Sequence, residues 1–198
     1  GPDPLRKALS ISNKHERKDG LKAARDALIA EIVDGKDEDE IDALTADAKA
    51  AWDKLISSVM RGDVLETGKR LDGRATDEIR DIWCEVGIAP RAHGSGIFTR
   101  GETQTFVTTA LGTEVDAQRL ELPYGRFERK FMLTYNFAPF CTGEARPLRG
   151  PKRREIGHGA LARRAMLPVL PSEEDFPYVM RCTSEVLESN GSSSMATV

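Results

Sequence analysis

The sequence predicts an α+β protein in two parts, an all-helical segment at residues 1–60 and a mixed domain of strands and helices at residues 61–198. Composition supports this division, because residues 1–60 contain one of the twelve aromatic residues and three of the seventeen glycines. Periodicity supports it too. The first segment repeats apolar residues at steps of three and four, whereas the second contains β-branched runs that are typical of strands.

Two helices are predicted in the first segment. Asn13 lies three residues before Glu16, which is the spacing of a capping box, and Gly35 is expected to end the helix that follows. Asp37 repeats the capping pattern, and the apolar stripe of the second helix continues to about Met60. We interpret the acidic run after Gly35 as a solvated helix start, where the helix dipole favours negative charge.

The mixed domain is expected to begin with a glycine-containing connection at 61–63 and 66–68. Its later part contains segments that are rich in β-branched residues or whose side chains alternate between two faces. It also contains one helical segment that is ended by prolines. These patterns predict strands at 103–111, 130–137 and 178–186, and a helix at 154–167.

Composition and charge exclude several classes of protein. The chain has 29 basic and 32 acidic residues, so its net charge of -3 gives no argument for nucleic-acid binding from bulk charge. No apolar run approaches the 18 residues of a membrane span, and the N-terminal residues lack the apolar core of a signal peptide. The three cysteines form no Cys-x-x-Cys pair. We therefore expect a cytoplasmic protein without membrane segments.

The first candidate site is a basic segment at 144–164, which carries seven basic and two acidic residues. Arg153 and Arg154 lie at the start of the predicted helix, where free backbone N–H groups attract anions. The segment is therefore a candidate for binding phosphate. The alternative is that these charges form an ordinary solvated face.

The second candidate is the run 188–195, directly after the third predicted strand. Gly191 permits a tight turn, and Ser192, Ser193 and Ser194 offer three hydroxyls and three backbone N–H groups to an oxyanion. The alternative is a polar turn with a serine helix cap. The spacing of a P-loop is absent.

Weaker signals come from isolated basic residues. Arg74 and Arg100 lie beside Asp-Gly and Gly-Glu pairs, and they pair either with acidic neighbours or with phosphate; composition favours structural pairing. His158, between two glycines, is a candidate for phosphate binding or proton transfer, although a lone histidine is more often a packed residue. His15 and His93 carry less signal, and no metal-ligand spacing is present.

Five motifs of the chain occur in a fixed order. They are RLDGR at 70–74, FTRGETQ at 98–104, YNF at 135–137, PKRREIGHG at 151–159 and ESNGSSSM at 188–195. In order and spacing they resemble the bacterial polynucleotide phosphorylase family, at the second of its two RNase PH-like core domains. The helical segment is similar in kind to the one that precedes that core domain.

The resemblance implies a fold and an activity. The fold is an RNase PH-like β-α-β-α core, also described as ribosomal protein S5 domain 2-like, which here is truncated. Members of the family assemble as trimeric rings around an RNA channel. They remove nucleotides from RNA 3′ ends with inorganic phosphate as co-substrate, release nucleoside diphosphates, and require Mg²⁺, with Mn²⁺ as a substitute.

The resemblance also implies roles for individual residues. The serines at 192–194 are expected to bind phosphate, and Arg153 and Arg154 are expected at the same site as catalytic residues. His158 matches a histidine near the site, whereas for Arg74 and Arg100 structural and RNA-contacting roles stay open. The carboxylates that hold the metal are expected beyond Val198.

This placement of the carboxylates predicts that the 198-residue chain is inactive by itself and belongs to a longer enzyme, with KH and S1 domains further on. The interrupted core is expected to leave strand edges unpaired. A homotrimer and further partners in RNA degradation are expected for the whole protein. The alternative function is a non-catalytic RNase PH-like ring subunit that scaffolds or binds RNA, and the intact serine and arginine motifs argue against it.

Overall fold

Three helices form the first of two units in the computed structural model, which describes residues 4–198. They are α1 (Pro4–Leu9), α2 (Lys14–Val33) and α3 (Glu38–Thr67). The predicted cap of α2 is confirmed, because the Asn13 side chain accepts hydrogen bonds from the backbone N–H groups of His15 and Glu16. The short helix α1 was not predicted, although it supplies two of the three buried core side chains of this unit.

The core of the helical unit centres on three buried side chains, Leu5, Leu9 and Trp52. Apolar residues of α2 and α3 pack around them, including Leu21 and Ile56. Because α1 contributes two of the three buried residues and contacts both longer helices, it completes the core of this unit. This packing stabilises helices whose sequences alone are only weakly amphipathic.

The second long helix differs from its prediction in two ways. It continues to Thr67 instead of ending near Met60, so the expected connection at 61–63 is helical. Gly68, at φ +68°, ends it with a left-handed cap. Asp37 occupies the cap position at its start, but its side chain makes no capping hydrogen bond. The first unit runs to Ile79, and the second spans Arg80–Val198.

The second unit is built on a five-stranded sheet and a separate two-stranded hairpin. Its strands are β1 (Ile82–Val86), β2 (Gly94–Arg100), β3 (Gln104–Gly112), β4 (Gln118–Leu122), β5 (Gly125–Arg129), β6 (Phe131–Asn136) and β7 (Val179–Glu188). The order in the large sheet is β1-β2-β3-β7-β6, with only the β6–β7 pair parallel. The predicted strands correspond to β3, β6 and β7, each within two residues at both ends. The other four strands were not predicted.

Two helices accompany the sheet. The helix α4 (Arg153–Met166) connects the parallel strands β6 and β7, and its bounds lie within one residue of the prediction. Gly159 faces the strand, where a Cβ would lie 3.5 Å from the Cβ of Tyr135. The absence of a side chain therefore lets α4 approach β6 closely. The short helix α5 (Ser193–Thr197) follows β7 and packs on β3 and β7.

The element order of strands, α4, β7 and α5 confirms the predicted α+β fold. No helix within residues 4–198 has the length and the apolar character that crossing a membrane requires. In the described sheet, β1 and β6 are the edge strands.

Candidate active site

The serine-rich loop after β7 adopts a left-handed conformation immediately before α5. Gly191 has φ +86°, and Ser192 has φ 54° and ψ 39°. Residues other than glycine rarely adopt this left-handed backbone conformation. This turn directs the chain into α5, whose first residue is Ser193. Ser192 is exposed, whereas Ser193 and Ser194 are 2% and 8% exposed.

The loop is held in this conformation by the turn between β2 and β3. The Arg100 guanidinium donates to the carbonyl oxygens of Gly191 and Ser192, both at 3.2 Å. The Thr103 hydroxyl donates to the Gly191 carbonyl at 3.2 Å and accepts from the Asn190 N–H at 3.0 Å. Arg100 therefore fixes the backbone of the serine loop and also places positive charge beside it.

Two further side chains secure the residue before the turn. Arg80 donates to the Asn190 carbonyl at 2.9 Å, and the Asn190 amide donates to Glu102 at 2.8 Å. Nothing in the sequence singled out Arg80. Its contact spans 110 positions along the chain, so only the folded sheet brings it to the loop.

Tyr135 of β6 links the serine loop to α4. Its hydroxyl lies 2.7 Å from the hydroxyl of Ser193, and its ring packs against the His158 ring at a centroid distance of 5.3 Å. The Phe137 ring stacks beside it at 6.2 Å. Burial raises the pKa of the Tyr135 phenol above its ordinary value, against the opposing effects of the Ser193 hydrogen bond and the Arg154 charge. The phenol therefore stays protonated at neutral pH.

The start of α4 carries the two predicted arginines in its first turn. The Arg154 guanidinium lies 3.9 Å from the centroid of the Phe137 ring, in a cation–π contact that sets its direction. Arg153 is exposed. Glu155 accepts from the backbone N–H groups of Lys152 at 2.9 Å and Phe137 at 3.0 Å. This carboxylate ties the helix start to the end of β6.

A cleft of about 440 Å³ opens beside this helix start. Its cationic lining comes from Arg146, Arg149, Lys152 and Arg154, and Phe137 and Phe140 add aromatic surface. Guanidinium groups next to aromatic rings, of which Phe140 is exposed, suit a ligand that carries both phosphates and bases.

His158 lies on α4 against Tyr135, as described above. Its Nδ1 atom is buried and has no hydrogen-bond partner in the part of the chain that the structure describes. Arg154, His158 and Ser193 thus converge on the Tyr135–Phe137 pair. In the sequence, Tyr135 and Phe137 stand out only as part of the YNF motif at 135–137.

Arg74 lies in the first unit and pairs with an acidic neighbour. Its guanidinium is 2.7 Å from the Asp72 carboxylate and also donates to the Glu78 carbonyl at 3.2 Å. The hydrogen bond with Arg74 holds the pKa of Asp72 below its ordinary value. Within that unit, the contacts of Arg74 are those of a turn-stabilising residue.

The described residues do not fit a metal site. Within residues 4–198, no three histidine, cysteine, aspartate or glutamate side chains come together in a way that would hold a metal ion. Near the serine loop and α4, Glu155 and Glu102 already accept hydrogen bonds from N–H groups.

Comparison with known families identifies the two units of the chain. The model of the 3′ exoribonuclease family, domain 1, matches residues 78–198. The chain belongs to the 3′ exoribonuclease family. A second model, described as the RNA binding domain of polyribonucleotide nucleotidyltransferase, matches residues 3–75. The two matches meet close to the division between the two units of the structure.

Curated relatives of this exoribonuclease-family chain carry one name. Proteins named polyribonucleotide nucleotidyltransferase are 51% identical over 198 residues in Roseobacter denitrificans, 50% over 198 in Dinoroseobacter shibae and 51% over 194 in Syntrophus aciditrophicus. These alignments cover 98–100% of this chain and 27% of each relative. The chain therefore spans about a quarter of the length of the relatives that it matches.

Solved structures support the fold of the exoribonuclease family. The chain is similar to a chain of an Archaeoglobus fulgidus exosome with RNA bound to the active site, with a TM-score of 0.51 and 17% identity, covering 72% of this chain and 58% of that one. An archaeal exosome core gives a TM-score of 0.50 at 15% identity, covering 73% and 56%. The predicted RNase PH-like core is thus confirmed as a fold.

Proposed function

We propose that the whole protein is a phosphorolytic exoribonuclease that shortens RNA from its 3′ end and releases nucleoside diphosphates. One observation carries the proposal: the serine loop and the arginine-bearing start of α4 meet at Tyr135, whose hydroxyl lies 2.7 Å from Ser193 and whose ring packs against His158. Two anion-binding elements from distant parts of the sequence thereby share one site, which is what a reaction between two phosphates requires.

In this proposal each element holds one anion. The first-turn N–H groups of α5 and the Ser192 hydroxyl bind inorganic phosphate. Arg153 and Arg154 bind the terminal phosphodiester of RNA and the charge that develops on it. An oxygen of hydrogen phosphate forms a bond to the terminal phosphorus while the bond from that phosphorus to the preceding ribose O3′ breaks. The leaving O3′ takes up the proton that hydrogen phosphate carried. His158, whose ring packs against Tyr135, is proposed to support this site through that contact.

Mg²⁺, or Mn²⁺ in its place, is part of the proposal for the whole protein, where it would neutralise charge on the reacting phosphates. We assign its ligands to carboxylates outside residues 4–198. The 198-residue chain by itself is accordingly proposed to be inactive. We also propose that the whole protein is a cytoplasmic homotrimer that acts on RNA 3′ ends beside other proteins of RNA degradation.

The test is phosphorolysis of poly(A) by the whole protein with phosphate and Mg²⁺, followed as ADP release. The double substitution Arg153→Ala with Arg154→Ala should reduce kcat/KM by at least about 100-fold, because electrostatic groups of this kind contribute that much each. Arg91→Ala with Arg181→Ala, at two exposed positions, is the matched control. Undiminished activity in the first variant would reject the arginine role. A wild-type protein that binds RNA without releasing ADP would favour a non-catalytic ring subunit.

ADP release by the 198-residue chain alone would contradict the proposed inactivity. It would also show that phosphorolysis proceeds without the carboxylates that we place outside this chain.

A further inference from the structure

A second cleft, of about 450 Å³, lies between α4 and the edge strand β6. Three arginines line it: Arg129 from the end of β5, and Arg163 and Arg164 from the last turn of α4. None of the three forms an ion pair with a carboxylate in the described residues. Three guanidinium groups therefore share one cleft, and none of them is paired with the Glu155 carboxylate that also lines it.

The position of Arg163 shows that this charge is built into the fold. Its Nε donates to the Phe131 carbonyl at 3.0 Å, which holds the side chain between helix and strand. Partial burial and, to a smaller extent, the nearby charge of Arg129 lower its pKa. Gathering like charges at a partly desolvated position costs free energy, and binding of an anion there would recover it.

The two clefts adjoin, because Asn136, Pro151 and Glu155 line both of them. Together they extend from the start of α4 along its side, and we refer to them as the groove. Arg154 at one end and Arg164 at the other are separated by ten helical residues, or about 15 Å. That length is enough to hold more than one phosphodiester of a single strand.

The lining of the groove favours a single-stranded nucleic acid over a protein segment. Seven cationic and three acidic side chains line it. Two of the acidic groups are already engaged, since Glu144 pairs with Arg146 and Glu155 accepts two backbone hydrogen bonds. Phe140 and Ile156, at 57% and 64% exposed, supply apolar surface between the cations. Cations alternating with exposed apolar and aromatic groups are the pattern of grooves that bind single strands.

We propose that this groove is the path of the RNA strand, and that Arg129 and Arg164 bind phosphodiesters upstream of the one that reacts. The inference rests on the proposed function, which places the reacting phosphodiester at Arg153 and Arg154. It adds a second contact region, which acts on RNA affinity and leaves the chemical step unchanged.

The test uses the whole protein with Arg129→Gln and Arg164→Gln, leaving Arg163 in place because it holds α4 to β6. Binding of a 20-nucleotide oligoadenylate is measured at several salt concentrations. The slope of log K against log salt should become shallower by about 1.4, because each lost phosphate contact on a single strand contributes about 0.7. KM for long RNA should rise with kcat unchanged. The dinucleotide ApA, which is too short to reach the second cleft, should lose no affinity.

Arg91→Gln with Arg181→Gln removes the same charge from positions outside both clefts and should leave the slope unchanged. An unchanged slope in the Arg129/Arg164 variant overturns the inference, and the proposed function stands if ADP is still released. If the slope becomes shallower but the protein shows no phosphorolysis, RNA binding in the groove is supported and the proposed function is rejected. Altered subunit assembly in sedimentation with an unchanged salt slope would identify a protein segment as the occupant, which also overturns the inference.

Discussion

Replacing Arg100 by glutamine separates two roles that the sequence left open, namely holding the serine loop and touching RNA. In the structure, one guanidinium nitrogen donates to the carbonyl oxygens of both Gly191 and Ser192. Glutamine removes the charge and shortens the side chain. The loop then loses its connection to the end of β2.

The size of the effect follows from the geometry. A hydrogen bond from a charged group contributes about 1.5–3 kcal/mol, but these two are long at 3.2 Å and share one nitrogen. We therefore expect a combined loss of about 2 kcal/mol in the free energy that orders the loop. If phosphate binds only to the ordered loop, its apparent affinity falls by about 30-fold, since 1.36 kcal/mol is a factor of ten.

The assay is steady-state phosphorolysis by the whole protein at varied phosphate and saturating RNA. Arg100→Gln should raise KM for phosphate by about 30-fold, and Arg100→Lys, which retains a charged donor, should recover part of it. Arg91→Gln, at an exposed position, is the control. A KM for phosphate within threefold of the wild-type value, together with a raised KM for RNA, would refute this reasoning and identify Arg100 as a substrate contact.

Three further predictions concern the same unit and its neighbour. Gly191→Ala should destabilise the loop by about 1–2 kcal/mol and raise KM for phosphate, because φ is +86° there; Gly150→Ala, in open space at an ordinary φ, should leave that KM unchanged. Tyr135→Phe should lower the free energy of unfolding of its unit by about 1–3 kcal/mol in urea titrations, because the buried Ser193 hydroxyl loses a partner. Asp72→Asn should remove a stability contribution that is fully present above about pH 4. That contribution is lost as the pH falls through the lowered pKa of this carboxyl, which thermal unfolding between pH 2 and 6 measures.

Controls for the last two predictions come from the same chain. Tyr178→Phe changes a half-exposed phenol and should alter stability by less than about 0.5 kcal/mol. Asp77→Asn, at an exposed carboxyl, should keep the acid-side loss of stability. An unfolding curve for Tyr135→Phe that overlays the wild type would show that the Ser193 hydroxyl finds another partner.

The elements that the sequence predicted are those whose local pattern agrees with their tertiary environment. The strands β3, β6 and β7 are central or parallel strands rich in β-branched and aromatic residues, so their composition is visible in a short window. By contrast, β1 is exposed along its whole length, and β4 and β5 pair only with each other. Each of these three strands is only five residues long, which is too short for a reliable pattern. The continuation of α3 past Met60 was missed because Gly62 suggested a turn, whereas the interior of a long helix tolerates one glycine.

The candidate site likewise contains residues that the sequence predicted and residues that it did not. The serine loop and the arginine pair stand out as short sequence motifs, because each concentrates hydroxyls or cations within a few residues. Arg80 and Glu102 were not recognised as supports of the loop, since their partner Asn190 lies about ninety or more positions away. Contacts of this kind exist only after the sheet has formed, and no periodicity in the sequence reports them.

The contacts of α5 with the strands beneath it explain why three consecutive serines adopt one defined conformation. A helix of five residues has no stability of its own, so its position is imposed by the strands beneath it. The Thr105 hydroxyl donates to the Ala196 carbonyl at 2.9 Å, and the hydroxyls of Ser184 and Thr197 lie 2.9 Å apart. Thr105 and Ser184 are fully buried, so a small shift of α5 would leave hydroxyl groups unsatisfied, at a cost of about 1–3 kcal/mol each. An apolar surface on β3 and β7 would tolerate such a shift of α5, because it has no hydrogen bonds to lose. The buried hydroxyls therefore fix the position of α5 and of the serine loop on the sheet, and the proposed reaction between two phosphates requires such a fixed position.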